Sequence, residues 1–283
     1  MSLWFEAETN RYSSDRMFRI PGRWPVADLD ALAAALLDAC ASRKPIPPLT
    51  ETCEGLTLDD AYAVQQRQIR TRLASGAVIA GYKVGLTSEA MRQQFGVSDC
   101  DFGHLLSDME YLADASVPVN AFVQPRAEPE IALVLGRALG GPRVTVTDVV
   151  AATAYAVPAI EIIDSRIVDW RISLLDTVAD NASSGGVVVG QSTVTLDRLD
   201  LSLTGCVLRR NGRIVSTGAG AAVLGSPLHA AAWLASELIG RGAQLTAGHV
   251  ILTGSVTASI PVQAGDAITA SFDHLGSVTA VFD

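Results

Sequence analysis

The sequence lacks the short motifs that mark the commonest classes of enzyme. It has no G-x-S-x-G turn of a serine hydrolase and no G-K-[ST] phosphate loop, and the pair Gly218 and Gly220 is followed by Val223 where a dinucleotide fingerprint needs glycine. Its four histidines show no H-x-x-x-H spacing. Hydride transfer, nucleotide chemistry and zinc hydrolysis are therefore not supported.

The chain also has little that suits a secreted, membrane or nucleic-acid-binding protein. Its four cysteines are scattered without a C-x-x-C pair, which predicts reduced thiols in a cytoplasmic protein. We find neither an apolar signal-peptide core at the N-terminus nor an apolar run of about eighteen residues. Because the net charge is -9, neither nucleic acid nor an anionic membrane is an expected partner, and an anionic substrate needs a local cation.

What is present is a helical start followed by a strand-rich remainder. Residues 1–27 are unpatterned and are interpreted as an N-terminal arm or extension; a single catalytic domain is predicted over 28–283, helical over 28–76 and β-rich over 77–283. Apolar residues at three- and four-residue steps from Leu29 predict the first helix. Because strands follow the helices without regular alternation, we predict an α+β fold with a curled, mixed or antiparallel sheet.

Cap signals and turns place several later elements. Thr57 with Asp60 predicts the start of a second helix. A helix from Thr147 or Asp148 is predicted to run through "VVAATAYAV" into the strand "PAIEIID", and Ser226 with Pro227 predicts the start of an apolar-faced helix. Three strands are predicted at the end of the chain, in "HVILTGS", "DAITASFD" and "GSVTAVFD".

The stretch "PRAEPEIALVLG" places two glutamates on one face of a strand. Glu128 and Glu130 are two residues apart, so their side chains point the same way. Two carboxylates so close repel each other unless a cation compensates them, and a hard divalent ion with oxygen ligands does this. Pro129 suits an edge or rim position. The alternative is a pair on a solvated strand face.

A third glutamate lies inside an apolar strand. Glu161 is flanked by isoleucines in "PAIEIID", where an unpaired charge costs several kcal/mol. It needs a partner, and the alternative to a metal is an ion pair with Arg166 or Arg171. The aspartates that follow are interpreted as helix caps and surface charge: Asp164, Asp169, Asp176 and Asp180.

Three further segments are polar where packing does not require it. Lys83 lies between two glycines in "GYKVGLT", where a ligand can approach closely, and near a metal its pKa is expected to be lowered, which suits proton transfer. The alternative is a surface lysine. Asp101 in "DCDFG" and the pair Asn181 and Ser183 in "DNASSGG" are either functional or ordinary turn residues.

In this order the segments resemble the 2-hydroxypenta-2,4-dienoate (2-keto-4-pentenoate) hydratases of aromatic meta-cleavage catabolism, within the fumarylacetoacetate hydrolase superfamily. The similarity covers the chain from Leu56 to Asp283. It rests on "GYKVGLTS", "DFGHLLSDM", "PRAEPEIALVLG", "PAIEIIDSRIVDW", "DTVADNASSGGVVVG", "GAGAAVLGSPLHAAAWLA" and "PVQAGD".

This resemblance implies a fold, a cofactor and a site. The fold is a mixed β-sandwich or roll of the fumarylacetoacetase C-terminal type with flanking helices, usually a homo-oligomer, here expected alone or complexed with a related decarboxylase or a downstream aldolase. The cofactor is Mg²⁺ or Mn²⁺ and the substrate a small 2-oxo or 2-hydroxy acid. The implied metal ligands are Glu128, Glu130 and Glu161, the catalytic residues Lys83 and Asp101, and the substrate contacts Lys83, Leu106, Asn181 and Ser183.

The expected reaction is addition of water to a 2-hydroxy-2,4-dienoate, giving a 4-hydroxy-2-oxo acid. One alternative is a 4-oxalocrotonate decarboxylase of the same superfamily, which resembles this chain over most of its length. Asp101 favours the hydratase, because the decarboxylases tend to have an apolar residue there. The other alternative is a non-catalytic partner subunit, which has no need to retain the lysine and all three glutamates.

Overall fold

Among the described residues, three α-helices lie in the first third of the chain and three more at later connections between strands. The structure is a computed structural model that describes residues 28–89, 92, 99–113 and 115–283; the predicted arm 1–27 lies outside them. The α-helices of this part are α1 (Leu29–Ser42), α2 (Leu49–Thr52), α3 (Leu58–Ala74), α4 (Val146–Ala152), α5 (Leu174–Ala179) and α6 (Pro227–Gly240).

The strands form two sheets with both parallel and antiparallel pairs. The larger has the order β2-β1-β10-β5-β6-β7-β3, with β11 also pairing with β5, and the smaller has the order β4-β13-β12-β8-β9. The strands are β1 (Ile79–Gly85), β2 (Asp101–Leu106), β3 (Glu110–Leu112), β4 (Ser116–Val117), β5 (Pro125–Leu135), β6 (Thr153–Asp164), β7 (Ser184–Val189), β8 (Gly205–Arg210), β9 (Arg213–Ala219), β10 (Val250–Ser255), β11 (Ile260–Pro261), β12 (Ala267–Phe272) and β13 (Gly276–Phe282). The predicted α+β fold with a mixed sheet is confirmed.

The predicted cap signals begin their helices. The Thr57 and Asp60 side chains form a reciprocal capping box at α3, and the Ser226 hydroxyl accepts a hydrogen bond from the Leu228 amide at the start of α6. The helix predicted from Thr147 or Asp148 is too long at its C-terminal end. It ends at Ala152, because the β-branched and aromatic residues that follow pair with β5 as the start of β6.

Strand β5 is central, not an edge strand, so the edge position suggested for Pro129 is wrong. Its neighbours are β6 on one side and β10 followed by β11 on the other. The register between β10 and β5 shifts between Leu252 and Ser255, beside Pro129, and the chain then leaves the sheet before it returns as β11. Pro129, which has no N–H to donate, lies at this break, where no ladder bond from its nitrogen is needed.

The two faces of the large sheet carry different side chains. Tyr82, Ile251 and Leu133 are register partners on one face and belong to the main core with α6 and the small sheet. On the opposite face Leu252 and Ala132 belong to a second, smaller apolar cluster. Lys83, the register partner of Leu252, shares this second face with the glutamates of β5 and β6.

The large sheet curls into a roll whose inner face is the second one. Strands β2 and β7, far apart in the strand order, are in contact. A Cβ atom at Gly103 on β2 would lie only 2.8 Å from the Ser184 hydroxyl and 2.4 Å from the Asn181 carbonyl oxygen. Glycine at 103 therefore permits the close approach that closes the roll.

Three of the four aspartates interpreted as helix caps and surface charge are buried, so the surface-charge part of that interpretation is wrong for these three. Asp164, Asp176 and Asp180 have at most 3% of their surface exposed, whereas Asp169 is exposed. Asp176 does cap α5, through Ser173, but it also accepts hydrogen bonds from Thr50 and so joins α2 to α5. These carboxylates are structural because each one accepts bonds from separate segments.

Helix α6 is the most apolar helix of the described part. The stretch Gly220–Gly240 has the length and composition of a membrane-crossing segment. Its regular α-helix, however, covers only Pro227–Gly240, and the face with Ala230, Leu234 and Leu238 is buried in the main core. This is the pattern of a helix that packs on a sheet, and the stretch is weak evidence for a membrane span.

Candidate metal and substrate site

Strand register brings the three predicted metal ligands together inside the roll. Glu128 on β5 lies directly opposite Glu161 on β6, and Glu130 follows on the same face of β5. One carboxylate oxygen from each lies within 4.8 Å of the others. Glu130 and Glu161 are fully buried and Glu128 is half-buried, so a solvated E-x-E pair is the wrong interpretation.

These carboxylates have too few partners for their burial. Glu130 Oε2 accepts a bond of 2.7 Å from the Gly254 amide, but Glu130 Oε1 and both oxygens of Glu161 have no hydrogen-bond partner among the described residues. The Lys83 ammonium lies 3.3 Å from Glu161 Oε1, an ion-pair contact without hydrogen-bond geometry. Buried oxygens without partners cost free energy, and the site is therefore suited to bind a cation.

Burial raises the pKa of all three glutamates, and repulsion by Glu161 adds to the shifts of Glu128 and Glu130. Burial is the main cause, followed by Glu161 for each of the other two, and it raises the pKa of Glu128 to about 7. The nearby Lys83 ammonium opposes these shifts without cancelling them. A divalent ion among the three would favour their charged forms, and carboxylate oxygens are ligands that Mg²⁺ and Mn²⁺ accept. The donor set therefore fits the expected metal.

Lys83 is buried with 3% of its surface exposed, so it is not a surface lysine. Its partner is Glu161, whereas Arg166 and Arg171 pair with Asp180 and Glu51. The lowered pKa expected beside a bound metal stays a prediction, and in the protein without a cation the pKa of Lys83 is raised. Burial does lower the pKa of Lys83, but the neighbouring carboxylates, Glu161 first, outweigh burial and raise it.

Asp101 lies at the same mouth of the roll, on β2 opposite Gly85. A Cβ atom at Gly85 would lie 2.0 Å from Asp101 Oδ1, so glycine is required there for the carboxylate to fit. Asp101 Oδ2 accepts a bond of 3.3 Å from the Thr177 hydroxyl, which lies 3.5 Å from the Ser183 hydroxyl. Burial raises the pKa of Asp101, although Lys83 opposes this shift. A short polar chain thus connects the predicted residues Asp101 and Ser183.

A pocket of about 410 Å³ opens onto these groups. Its polar wall includes Lys83, Asp101, Glu128 and Ser183, and its apolar wall includes Ile163. The other lining residues are Gly85, Leu86, Arg126, Trp170, Ile172, Thr177, Ala182, Ala258 and Ser259. The pocket can hold a small organic acid with its polar end beside the carboxylates.

Two predicted substrate contacts do not reach this pocket. Leu106 is buried with Ile69 and Met109, and together with Asn181 it lines a separate cavity of about 130 Å³. The Asn181 amide accepts a bond of 2.8 Å from the His104 N–H and donates one of 2.9 Å to the His104 carbonyl oxygen. Asn181 therefore binds the free edge of β2 as a neighbouring strand would.

The segment that carries Asn181 has an unusual backbone. Asn181, Ala182 and Ser183 have positive φ angles of 54°, 51° and 53°, which few residues other than glycine adopt. Such strain persists where surrounding contacts fix it, and here the two bonds to His104 do so. The consequence is that Ala182 and Ser183 face the pocket while Asn181 faces away from it.

Several pocket residues are not predicted from the sequence. Thr177 and Trp170 carry no local signal, because their positions depend on how α5 and the segment before it pack on the roll. Arg126 does carry one: it is two residues before Glu128 and so lies on the same face of β5. The alternation that pairs Glu128 with Glu130 also predicts Arg126 beside them.

Comparison with known proteins agrees with the fold and identifies the class. Residues 107–282 match the family model described as fumarylacetoacetate (FAA) hydrolase C-terminal. A solved structure of 4-oxalocrotonate decarboxylase from Pseudomonas putida G7, complexed with magnesium and adipate, superimposes with a TM-score of 0.88 at 38% identity, over 92% of this chain and 99% of that one. The fold is that of the fumarylacetoacetate hydrolase superfamily.

Curated sequences similar to this chain narrow the assignment. A 2-keto-4-pentenoate hydratase from Burkholderia vietnamiensis (strain G4 / LMG 22486) is 46% identical over 252 residues, which are 89% of this chain and 96% of that protein. A 2-hydroxyhexa-2,4-dienoate hydratase from Comamonas testosteroni is 41% identical over 87% of this chain and 94% of that protein. The chain belongs to the 2-keto-4-pentenoate hydratase family, as the sequence segments indicate.

Proposed function

We propose that this protein is a divalent-metal-dependent hydro-lyase that adds water to 2-hydroxypenta-2,4-dienoate or a close homologue, giving a 4-hydroxy-2-oxo acid. The observation that carries the proposal is the set of three clustered glutamates with unpartnered oxygens beside Lys83. The chain that holds them is 46% identical to a hydratase of this specificity. The same cluster supports Glu128, Glu130 and Glu161 as the ligands of Mg²⁺ or Mn²⁺.

The bound metal would supply Lewis acidity that polarises the 2-oxygen of the substrate. The residues of this chain handle the protons. The proton of the 2-hydroxyl group is lost and C5 gains one, which gives a 2-oxo-3-enoate. The oxygen of water then forms a bond to C4 and its proton ends on C3, so that atoms and charge balance. Proton transfer of this kind is general acid–base chemistry.

Lys83 and Asp101 have suitable properties for these transfers. The Lys83 ammonium lies 3.3 Å from Glu161 at the glutamate cluster, where its positive charge would stabilise negative charge at the 2-oxygen. Asp101 Oδ1 has no hydrogen-bond partner among the described residues and Oδ2 is held by Thr177, so one oxygen is free to accept the proton of the adding water. Its raised pKa brings it closer to a neutral working pH.

The second candidate is decarboxylation of a vinylogous 2-oxo acid, which needs the same electron sink. It is favoured by the superposition on the magnesium-bound decarboxylase. Purified protein with magnesium should be assayed on both substrates, following carbon dioxide release and 4-hydroxy-2-oxo acid formation. Hydration without carbon dioxide is expected; carbon dioxide without hydration would establish the decarboxylase instead. Product formation that continues after a chelator has removed the metal would contradict metal dependence.

We also propose that the enzyme works in the cytoplasm as a homo-oligomer, alone or complexed with a related decarboxylase or a downstream aldolase. The support is the family alone. Light scattering of the purified protein, alone and mixed with each candidate partner, tests the oligomeric state and the complexes. A monomer under all conditions would contradict the proposed assembly.

A further inference from the structure

Arg126 is a pocket residue with no assigned role. It lies on β5 two residues before Glu128, directly opposite Ile163 on β6. Both side chains line the 410 Å³ pocket together with Glu128. One strand repeat of two residues spans roughly 6.6 Å. Arg126 and Ile163 therefore form the next row outward from the row of Glu128 and Glu161, within reach of a small molecule bound there.

The guanidinium of Arg126 is held in one orientation. Its Nε donates a bond of 2.8 Å to the Ser259 hydroxyl, and one of its Nη atoms donates a bond of 3.0 Å to the Ser259 carbonyl oxygen. The Trp170 ring centroid lies 5.8 Å from the guanidinium carbon. Because Ser259 holds one edge of the guanidinium and the Trp170 ring lies beside it, the remaining N–H donors are free to bind a planar anion.

Arg126, which is half-buried, differs from Arg166, a buried arginine near the site. The guanidinium of Arg166 is used up by the Asp180 carboxylate and by backbone carbonyls. Within the described part of the chain, the guanidinium of Arg126 forms no ion pair with a carboxylate, and both of its hydrogen-bond acceptors belong to Ser259. Its positive charge is therefore available to a ligand.

The charges of the site require such a cation. Glu128, Glu130, Glu161 and Asp101 carry four negative charges when ionised, which Lys83 and a divalent ion reduce to one. An anionic acid entering this site would be repelled without another cation. Lys83 already pairs with Glu161. Among the described residues that line the pocket, Arg126 is the cation that remains.

We propose that Arg126 binds the carboxylate of the 2-oxo or 2-hydroxy acid and makes the site selective for the acid over its uncharged derivatives. The inference rests on the proposed function, and its substrates have a single carboxylate, at C1. Arg126 pairs with that group while the unsaturated tail extends toward the Asp101 side of the pocket. Ser259 and Trp170 are positioning residues for the guanidinium.

The test compares binding of pyruvate and its uncharged analogue pyruvamide at saturating magnesium, by calorimetry. For Arg126→Gln the pyruvate dissociation constant should rise about 10- to 100-fold, the usual effect of losing a charge-assisted bidentate pair. The weaker binding of pyruvamide and the affinity for Mg²⁺ alone should stay unchanged. Ser259→Ala removes the hydroxyl that holds Nε but keeps the bond to the carbonyl oxygen, and it should raise the pyruvate constant by a smaller factor.

The matched control is Arg137→Gln. Arg137 follows the other end of β5, is exposed and donates to the Ala151 carbonyl oxygen, so pyruvate binding should stay unchanged. Unchanged pyruvate affinity in folded Arg126→Gln would overturn the proposal, as would equal losses for pyruvate and pyruvamide. A loss for adipate but not for pyruvate would also overturn it, because Arg126 would then serve a distal carboxylate. If Arg126→Gln fails to fold, Arg126→Lys and Ser259→Ala carry the same comparison.

Turnover of 2-hydroxypenta-2,4-dienoate by the unmodified protein is measured in parallel. If turnover is normal but the Arg126→Gln change does not weaken pyruvate binding, only the role of Arg126 is contradicted. If there is no turnover but the Arg126→Gln change weakens pyruvate binding, the proposed function is contradicted, while Arg126 keeps its role in binding an acid.

Discussion

Two buried ion pairs lie close to the pocket, and only one of them is complete. Asp180 accepts from both the amide and the guanidinium of Arg166, which also donates to the carbonyl oxygens of Asp164 and Ser184. Lys83 and Glu161 meet at 3.3 Å, but both Glu161 oxygens and Glu130 Oε1 have no hydrogen-bond partner among the described residues. A satisfied pair is part of the scaffold, whereas an unsatisfied one marks a place for a ligand.

The largest effect is expected at the incomplete pair. Glu130→Gln removes one of three predicted metal ligands but keeps an oxygen for the Gly254 amide. Metal-dependent turnover should fall by about 10³-fold or more, because a Lewis acid supplies several kcal/mol of transition-state stabilisation. The free energy of unfolding should hardly change, because the bond to the Gly254 amide is kept and the substitution removes one of three mutually repelling charges. Steady-state kinetics and urea denaturation check both parts; turnover that survives the substitution and a chelator alike would contradict the metal site.

A substitution in the complete pair, Arg166 and Asp180, should lower the stability of the fold and leave metal binding unchanged. Asp180→Asn leaves the Arg166 charge buried without its counterion, which should lower the free energy of unfolding by about 3–5 kcal/mol. Urea denaturation measures this change, and calorimetry with Mg²⁺ is the control, because the metal affinity of the folded variant should be unaltered. A stable variant with weakened Mg²⁺ binding would reverse the assignment of the two pairs.

Asn181 tests the boundary between scaffold and site. Its amide makes two bonds to the His104 backbone, so Asn181→Ala should cost about 1–3 kcal/mol of unfolding free energy. The pyruvate dissociation constant should stay close to that of the unmodified protein, because Asn181 faces the other cavity. Thermal unfolding and calorimetry decide: a large loss of pyruvate affinity at full stability would restore the substrate contact that the family resemblance implies.

The smallest expected effect is the pH dependence of stability. The pKa of Glu128 is raised from about 4.5 in the unfolded chain to about 7, so the folded protein binds the proton more tightly. In metal-free protein this contribution to stability is full below about pH 4.5 and is lost as the pH rises through about 7. The melting temperature should therefore fall by a few degrees over this range. Saturating Mg²⁺ should remove or reverse the slope; an identical slope with and without metal would contradict the cluster as its binding site.

The comparison also separates what the sequence can predict from what it cannot. Alternation along β5 puts Glu128 and Glu130 on one face, and the isoleucines around Glu161 predict its burial, because both depend only on neighbours in the chain. Which residue pairs with Glu161 depends on how distant strands meet, and the sequence offers Arg166 or Arg171 as the ion-pair partner, neither of which is correct. Long-range pairing decides in favour of Lys83.

The errors have the same origin. Asp180 looks like surface charge and Asp176 like a helix cap with no second role, because nothing local indicates that Arg166 and α2 bring hydrogen-bond donors to them. Asn181 is in a segment of turn residues next to Ser183, yet three successive positive φ angles turn the two side chains toward different cavities. Backbone strain of this kind is sustained by tertiary contacts and has no signature in residue order.

The most direct test is anomalous scattering from crystals grown with Mn²⁺. The central claim is that the incomplete pair is completed by a divalent cation. The expected result is a single strong peak bonded to oxygens of Glu128, Glu130 and Glu161, with Lys83 beside it and the Arg166–Asp180 pair unchanged. No peak among the three glutamates at saturating Mn²⁺, or a peak only elsewhere on the protein, would contradict the account.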